Sequence, residues 1–415
     1  FRRKNYLYFD VTVMNLRISN KMQVVRGSVI RQMAEAAASK KNTISFANGN
    51  PSSDTFPVTD FARFAAQSFR DEPNAVLEYG LSQGYPPLID DLKQRLYQKW
   101  GIDFEKNDLI IVSGGQQACD YTSKVLLNED DVVITEEPSY ASCFNTFRSY
   151  GAKLVGVPMQ PDGMDLEKLE KALKDNPRAR MLYVIPSFQN PTGFTTTMEK
   201  RQKIYDLARL YNVAIFEDDP YCELRFLGQD IKPIKSIDTD GRVLYAGSLS
   251  KVMAPAFRLG FLVFDKELTS RIIVSKQCTD VHSSLLFQHI AHQYMTQCDY
   301  EAHLELCRAV YRKKSQLMMD TLREYLHPAV HCSQPEGGLF MMLFLPDGTD
   351  SMAFVMDALD RGVVCVPGSG FMIDQDAPNN YVRLCYSTAT DEEIVRGAKI
   401  LGQLSFDYLK TPVIG

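Results

Sequence analysis

The residue types best suited to covalent chemistry stand in Ser248-Leu249-Ser250-Lys251, with Arg258 seven residues after the lysine. Two hydroxyls, an arginine fork and an amine can hold a phosphate group and leave the lysine free to react. As structure alone the run is a polar turn capping a helix with a surface lysine, and the two readings are level. A second run, Asp218-Asp219-Pro220-Tyr221, closes the apolar stretch Val213-Ala214-Ile215-Phe216. An acid at the end of a buried strand is costly unless a cation meets it, so Asp218 calls for a fixed positive partner such as a protonated pyridine nitrogen. Tyr221 adds a phenol able to hydrogen-bond a ring oxygen. Taken by itself, a solvated acidic turn is the better reading of these four residues.

Two loops supply further polar groups. In Pro186-Ser187-Phe188-Gln189-Asn190-Pro191-Thr192-Gly193 the prolines and the glycine freeze the backbone, which can aim the Asn190 amide at a ligand with little entropy lost on binding. Most turns of this composition are only turns. Ser113-Gly114-Gly115-Gln116-Gln117 sits between an apolar run and a helix starting near Gln116, where backbone N–H groups and the helix dipole attract phosphate. No Gly-Lys-Ser/Thr follows, so it is not a Walker loop. His289-x-x-His292 could put two ligands on one helix face, but no third ligand or H-E-x-x-H pattern accompanies it. Solvated or packing histidines are expected there, and no metal.

These loops need a scaffold, and the middle of the chain writes one. Short apolar runs at 109–112, 132–135, 154–157, 181–185, 213–216, 243–246 and 259–263 alternate with helical periodicity, as in Pro86–Trp100 and 198–211. That pattern predicts an α/β fold with a large, seven-stranded, mostly parallel sheet, and the polar loops leave strand ends, where such sheets bind ligands. From about Tyr300 the texture changes to a long periodic helix through Leu304, Cys307, Val310, Tyr311, Leu317, Met318 and Leu322. Strand-like runs at 338–345, 363–366 and 381–385, helical 352–360 and a final helix after Asp391 complete a smaller α+β unit. The predicted division is a large unit over 60–299 and a small one over 300–415, joined by residues 1–59.

Length and composition agree with two intimately connected units. The chain has 415 residues, 45% hydrophobic and 23% charged, which excludes disorder or low-complexity repeats as the main content. Lys plus Arg is 46 against Asp plus Glu 51, a net charge of −5, which argues against nucleic acid or anionic lipid as partner. The expected partner is a small molecule or another subunit. Nine cysteines without a C-x-x-C pair read as reduced thiols of a cytoplasmic protein. No run approaches the roughly 18 apolar residues of a membrane span, and Phe1-Arg2-Arg3-Lys4 reads as no export signal.

Together and in this order, the four motifs resemble the aspartate aminotransferase superfamily of fold-type I pyridoxal-phosphate enzymes, class I/II. The closer likeness is to its kynurenine/2-aminoadipate aminotransferase branch, whose catalytic domain also occurs in bacterial regulators. The resemblance runs from about 29 to 387. It implies pyridoxal 5'-phosphate as cofactor, carried by Lys251 as a Schiff base, with the same amine later moving the proton. Asp218 matches the acid that pairs with the pyridinium nitrogen, and Asn190 and Tyr221 the pair that bonds the ring hydroxyl. Gly115, Gln116, Ser248, Ser250 and Arg258 fall on the phosphate cup, although family members often carry serine where Gly115 stands. Tyr140, in Glu137-Pro138-Ser139-Tyr140, matches the ring that stacks on the cofactor. Arg383 matches the arginine gripping the substrate α-carboxylate, with Gly49 in Asn48-Gly49-Asn50-Pro51 lending a backbone N–H. Tyr79, in Glu78-Tyr79-Gly80, resembles the tyrosine that reaches the neighbouring subunit's phosphate, which implies a homodimer with its site at the interface. Arg31 lies in a segment resembling the mobile N-terminal lid, where an arginine can contact a distal carboxylate.

The implied activity is transfer of an amino group between an L-amino acid, aromatic, 2-aminoadipate-like or glutamate, and a 2-oxo acid. A β-lyase or decarboxylase would use the same cofactor contacts. A regulator that senses the cofactor beneath a DNA-binding head is the third reading. Fewer than sixty residues precede Asp60, which leaves no room for a winged-helix head in the chain as it stands.

Overall fold

The computed structural model describes residues 16–39 and 42–410. Phe1-Arg2-Arg3-Lys4, read above as no export signal, lies outside the described residues. The main sheet runs in the order Asn107–Val112, Gly260–Asp265, Val243–Ser248, Ala214–Asp219, Ala179–Val184, Val132–Glu137, Lys153–Gln160, Gly163–Met164. The four strands from Val243–Ser248 to Val132–Glu137 and the neighbouring Lys153–Gln160 are mutually parallel, while Gly260–Asp265 runs against both its neighbours. All seven predicted strands are present. The eighth, Gly163–Met164, pairs antiparallel with Lys153–Gln160, and two residues are too few to leave a period in the sequence.

Residues on these strands are apolar on both faces, because helices cover both sides of a parallel sheet. Leu109, Ile110, Ile111, Val112, Ile215, Phe216, Leu262 and Val263 are all buried. Helix Pro86–Trp100 starts with proline in its first turn and stops at Gly101, whose φ of 72° is the left-handed conformation that a C-terminal cap needs. It turns Leu88, Leu92, Leu96 and Trp100 inward. Thr197 caps helix Met198–Leu210 by accepting from the Lys200 N–H.

The long helix Tyr300–Tyr325 is capped by Asp299 and packs along Asp391–Lys410. Its buried face holds Leu304, Cys307, Tyr311, Met318 and Leu322, of which the leucines and the methionine each contribute roughly 1.5–3 kcal/mol by burial. Beside it an antiparallel sheet runs His331–Cys332, Phe340–Phe344, Tyr381–Cys385, Val366–Pro367. Ile44–Ser45 pairs in parallel with Val363–Val364, and the Cys385 N–H donates to the Phe46 carbonyl, so the N-terminal segment is stitched to the C-terminal part. No described helix is long and apolar enough to cross a membrane.

Candidate active site

The loops that follow the strands ending at Val112, Glu137, Val184, Asp219 and Ser248 leave the sheet at one edge, the carboxyl ends of parallel strands. A cavity of about 330 Å³ opens there. It is lined by Gly49, Gly115, Gln116, Tyr140, Asn190, Asp218, Tyr221, Ser248, Ser250, Lys251, Arg258 and Arg383. Positions more than three hundred residues apart in the chain thus converge on one space, twelve of the fourteen singled out above.

Strand Ala214–Asp219 presents successive side chains to opposite faces. Glu217 turns to one side and accepts the Ile234 and Lys235 N–H groups at 2.7 and 2.8 Å. Asp218 turns to the cavity, where the Tyr183 hydroxyl donates to its Oδ2 at 3.1 Å. Burial lifts the Asp218 carboxyl to about 7, and the neighbouring Asp219 charge adds to the rise. Among the described residues no cation is hydrogen-bonded to it. Lys251 emerges after strand Val243–Ser248 and donates from Nζ to the Gly49 carbonyl at 2.8 Å. Burial takes its ammonium down to about 8, and the Arg383 and Arg258 cations push the same way. Acid and amine are therefore both drawn toward neutral pH from opposite sides.

One end of the cavity is made of the turn before helix Gly115–Leu126 and the loop carrying Lys251. Gly114 has a φ of 84°, which L side chains avoid, and a Cβ there would stand 2.3 Å from Arg258 Nη2, so a larger residue would push the guanidinium aside. At Gly115 a Cβ would meet Asp218 Oδ1 at 3.5 Å, an ordinary contact, so the missing hydroxyl is not a steric necessity. Arg258 Nη2 donates to the Ser113 carbonyl at 2.9 Å, Ser248 Oγ accepts the Ser250 N–H at 3.2 Å, and Gln116 Nε2 donates to Thr146 Oγ1 at 2.6 Å.

Arg383 is 2% exposed on strand Tyr381–Cys385. Its guanidinium lies over the rings of Phe340 and Phe371, 4.5 and 4.9 Å from their centroids. Nη1 donates to Asn190 Oδ1 at 3.1 Å, Nη2 to the Ala47 carbonyl, and Nε has no hydrogen-bond partner among the described residues. The Asn190-Pro191 and Glu137-Pro138 peptides are cis. Burial raises the phenols of Tyr221 and Tyr140, which keeps both protonated and able to donate.

Two of the singled-out residues stand elsewhere. Arg31 is exposed and pairs with Glu35 one turn on at 2.9 Å; the same helix, Val29–Ser39, sends Ile30 into the cavity wall instead. The helical period explains this, since adjacent residues point about 100° apart. Tyr79 is 90% exposed, its ring edge-on to His282 at 5.8 Å. His289 stacks on Tyr85 at 3.8 Å and His292 bonds Asp91 at 2.6 Å, and no metal-ligand group occurs among the described residues. Sequence reasoning missed Tyr183, Cys143, Phe340 and Ile30, which border the same space or its acid. Their apolar or aromatic character inside strands and helices reads as core.

Comparison with known proteins gives a match to the family described as aminotransferase class I and II over residues 41–401. The aromatic-amino-acid aminotransferase 1 of Thermococcus litoralis is 31% identical over 396 residues, 94% of each chain. The 2-aminoadipate transaminase of Thermus thermophilus is 33% identical over 382 residues, 91% of this chain and 94% of that one. The crystal structure of a kynurenine aminotransferase from Pyrococcus horikoshii superposes with a TM-score of 0.90 at 33% identity, covering 95% of this chain and 98% of the other.

Proposed function

This chain belongs to the aminotransferase class I and II family, and on that premise we propose that Lys251 and Asp218 are the working pair of its active site. The enzyme uses pyridoxal 5'-phosphate to move amino groups between amino acids and 2-oxo acids. The cavity residues fit that cofactor: a buried carboxyl without a bonded cation, a depressed amine in the same cavity, and a glycine turn where a Cβ would push Arg258 aside. Bound there, pyridoxal phosphate supplies the electron sink that makes a proton beside an amine removable.

The protein's part is orientation and electrostatics. Asp218, charged once a cation faces it, keeps a proton on the ring nitrogen; opposite charges at about 4 Å are worth about 4 kcal/mol at an effective dielectric near 20. Lys251 Nζ, near neutral pH in its proton affinity, would take the proton from the α-carbon and return it to the carbon on the far side of the substrate nitrogen. Asn190 and Tyr221 would bond the ring oxygen, and Tyr140 would pack against the ring. The backbone of Gly115 and Gln116 with Ser248, Ser250 and Arg258 would hold the phosphate. Arg383 binds the substrate carboxylate by its planar fork, with Gly49 beside it, which aligns the bond to be broken. The wall formed by Ile30, Ile185 and Phe340 suits an apolar donor side chain. Residues 60–299 make the cofactor-binding unit and 300–410 with the N-terminal segment the smaller one. Tyr79, exposed on this chain, serves the phosphate of a second copy in a homodimer.

The observation that carries the proposal is the convergence of buried Asp218 and Lys251 with Arg258 and Arg383 on one cavity, where burial also draws the acid up and the amine down. To test it, the wild type is mixed with phenylalanine, leucine, 2-aminoadipate or glutamate, and cofactor conversion is followed by absorbance. Conversion is expected to be fastest with the apolar donors. In a separate sample without amino acid, borohydride fixes the cofactor's mass to the peptide carrying Lys251, and Lys251→Ala does neither. An adduct on another lysine, or conversion by Lys251→Ala, would refute the assignment.

A further inference from the structure

We propose that Asp280, seated with Lys276 behind the turn Ser113-Gly114-Gly115, is a positioning residue for the phosphate-binding end of the cavity. The inference rests on the reading of that turn as the phosphate seat and extends it to residues that lie outside the cavity.

A single carboxylate gathers four donors from three elements. Ser113 Oγ reaches Asp280 Oδ2 at 3.0 Å, Gln117 Nε2 the same oxygen at 2.8 Å, Tyr121 OH reaches Oδ1 at 3.2 Å and Lys276 Nζ reaches Oδ1 at 3.0 Å. Lys276 has a fully buried side chain and also donates to Gln117 Oε1 at 3.2 Å and Ser283 Oγ at 3.1 Å. The two serine hydroxyls, Ser113 and Ser283, are 3.0 Å apart. Burial opposes the charge on Asp280, but the bonds from Gln117, Lys276 and Ser113 overcome it and hold the carboxyl below its ordinary range.

This wiring controls one rotor. Gln117 Oε1 accepts the Ser113 N–H at 2.7 Å, closing the turn before the helix. An amide can present either end, and the Asp280 carboxylate, an acceptor only, selects the orientation in which Nε2 faces it and Oε1 faces Ser113. Lys276, a donor only, enforces the same choice from the Oε1 side. With its N–H and hydroxyl held there, Ser113 has its carbonyl left to accept Arg258 Nη2 at 2.9 Å. The N–H groups of the first helical turn and the arginine are thereby held for one anion before it arrives, which saves ordering entropy on binding. Lys276 is fully buried while Asp280 is about a quarter exposed, so the buried amine depends on this carboxylate for its charge partner. Next to it Val281, a β-branched residue, is held at a φ of 63°, a conformation such residues avoid and one that persists only when the surroundings dictate it.

The test uses the full chain stripped of cofactor and titrated with pyridoxal 5'-phosphate and with pyridoxal, which lacks the phosphate. Asp280→Asn removes the charge and turns its amide nitrogen toward one of two pairs of donors, Ser113 with Gln117 or Tyr121 with Lys276; it is expected to weaken pyridoxal phosphate about tenfold, the loss of one hydrogen bond to a charged group, with the pyridoxal Kd unchanged. Ser113→Ala removes one oxygen and keeps the fold within reach should Asp280→Asn not fold; it is expected to lose selectively in the same way, by less. Equal losses for both ligands, or no loss in either variant, overturn the positioning role while the phosphate seat stands. A wild type that binds pyridoxal as tightly as its phosphate ester removes the seat itself and the inference with it.

Discussion

At Asp218 the alternation of a strand decides which of three consecutive acids faces the cavity. Glu217 and Asp219 face away from the cavity, and Glu217 is satisfied by two backbone N–H groups. Asp218 was legible in the sequence only in company with the other motifs, since its own run reads by itself as a solvated acidic turn. Tyr183, which bonds it, was not legible, because it lies 35 residues away inside a buried strand where a tyrosine reads as core. The same burial has a measurable consequence. In the cofactor-free chain the folded state lifts the Asp218 pKa from 3.8 to about 7. A raised folded pKa means the folded chain holds the proton more tightly than the unfolded one. The stability it contributes is complete below the unfolded value and is lost as pH rises through about 7. Asp218→Asn lacks this titration. Denaturant unfolding of cofactor-free wild type and variant, run from about pH 5 to about pH 8, is expected to shift in the variant's favour by roughly 2.5–3 kcal/mol, the part of the effect that falls in this window. A difference that stays flat with pH would mean that no buried acid titrates at this position.

Among elements, the loop from Pro186 to Thr196 shows how a rigid turn is anchored from behind. Its prolines and Gly193 announce stiffness, but stiffness alone does not choose one shape. Arg201, 0% exposed in helix Met198–Leu210, donates from Nε to the Thr196 carbonyl at 2.9 Å and from Nη2 to the Pro186 carbonyl at 2.8 Å. It also reaches Ser187 Oγ at 3.2 Å and the Lys232 carbonyl at 3.1 Å. Both ends of the loop that carries Asn190 are thus tied to one guanidinium. The helical period exposes Ile204 and Ala208 as a buried face, yet an arginine on the same side reads as a solvated residue, so the anchor is invisible without the tertiary structure. The eighth strand was missed for the same kind of reason, since its partner and not its composition makes it a strand. Arg201→Lys keeps the charge but offers a point donor in place of a fork. It is expected to cost about 2–4 kcal/mol in urea unfolding and to raise KM for amino acids, because Asn190 bonds Arg383. Unaltered KM with the full stability loss would show that the anchor serves the fold alone.

On the scale of the whole molecule, one wall of the cavity comes from the large sheet and another from the smaller one, with Arg383 bridging Asn190 and the N-terminal Ala47. Motif order made that convergence readable, since family resemblance carries distant positions together when periodicity cannot. Tyr79 is the exception that points outside the chain: it is 90% exposed, and its apolar neighbours Leu77 and Leu81 are exposed with it. A tyrosine and two leucines on one stretch are costly to leave in water and are expected to be covered by a second copy, whose phosphate Tyr79 then reaches. A subunit-mixing experiment separates this from a merely exposed loop. Lys251→Ala and Tyr79→Ala homodimers are each expected to be nearly inactive at limiting cofactor. In a hybrid, one site combines both lesions and the other combines the intact Lys251 of one subunit with the intact Tyr79 of its partner. Random reassortment makes about half of all dimers hybrid, so activity should recover to about a quarter of the wild-type level. If Tyr79 acted within its own chain, every site would keep one lesion and mixing would restore nothing.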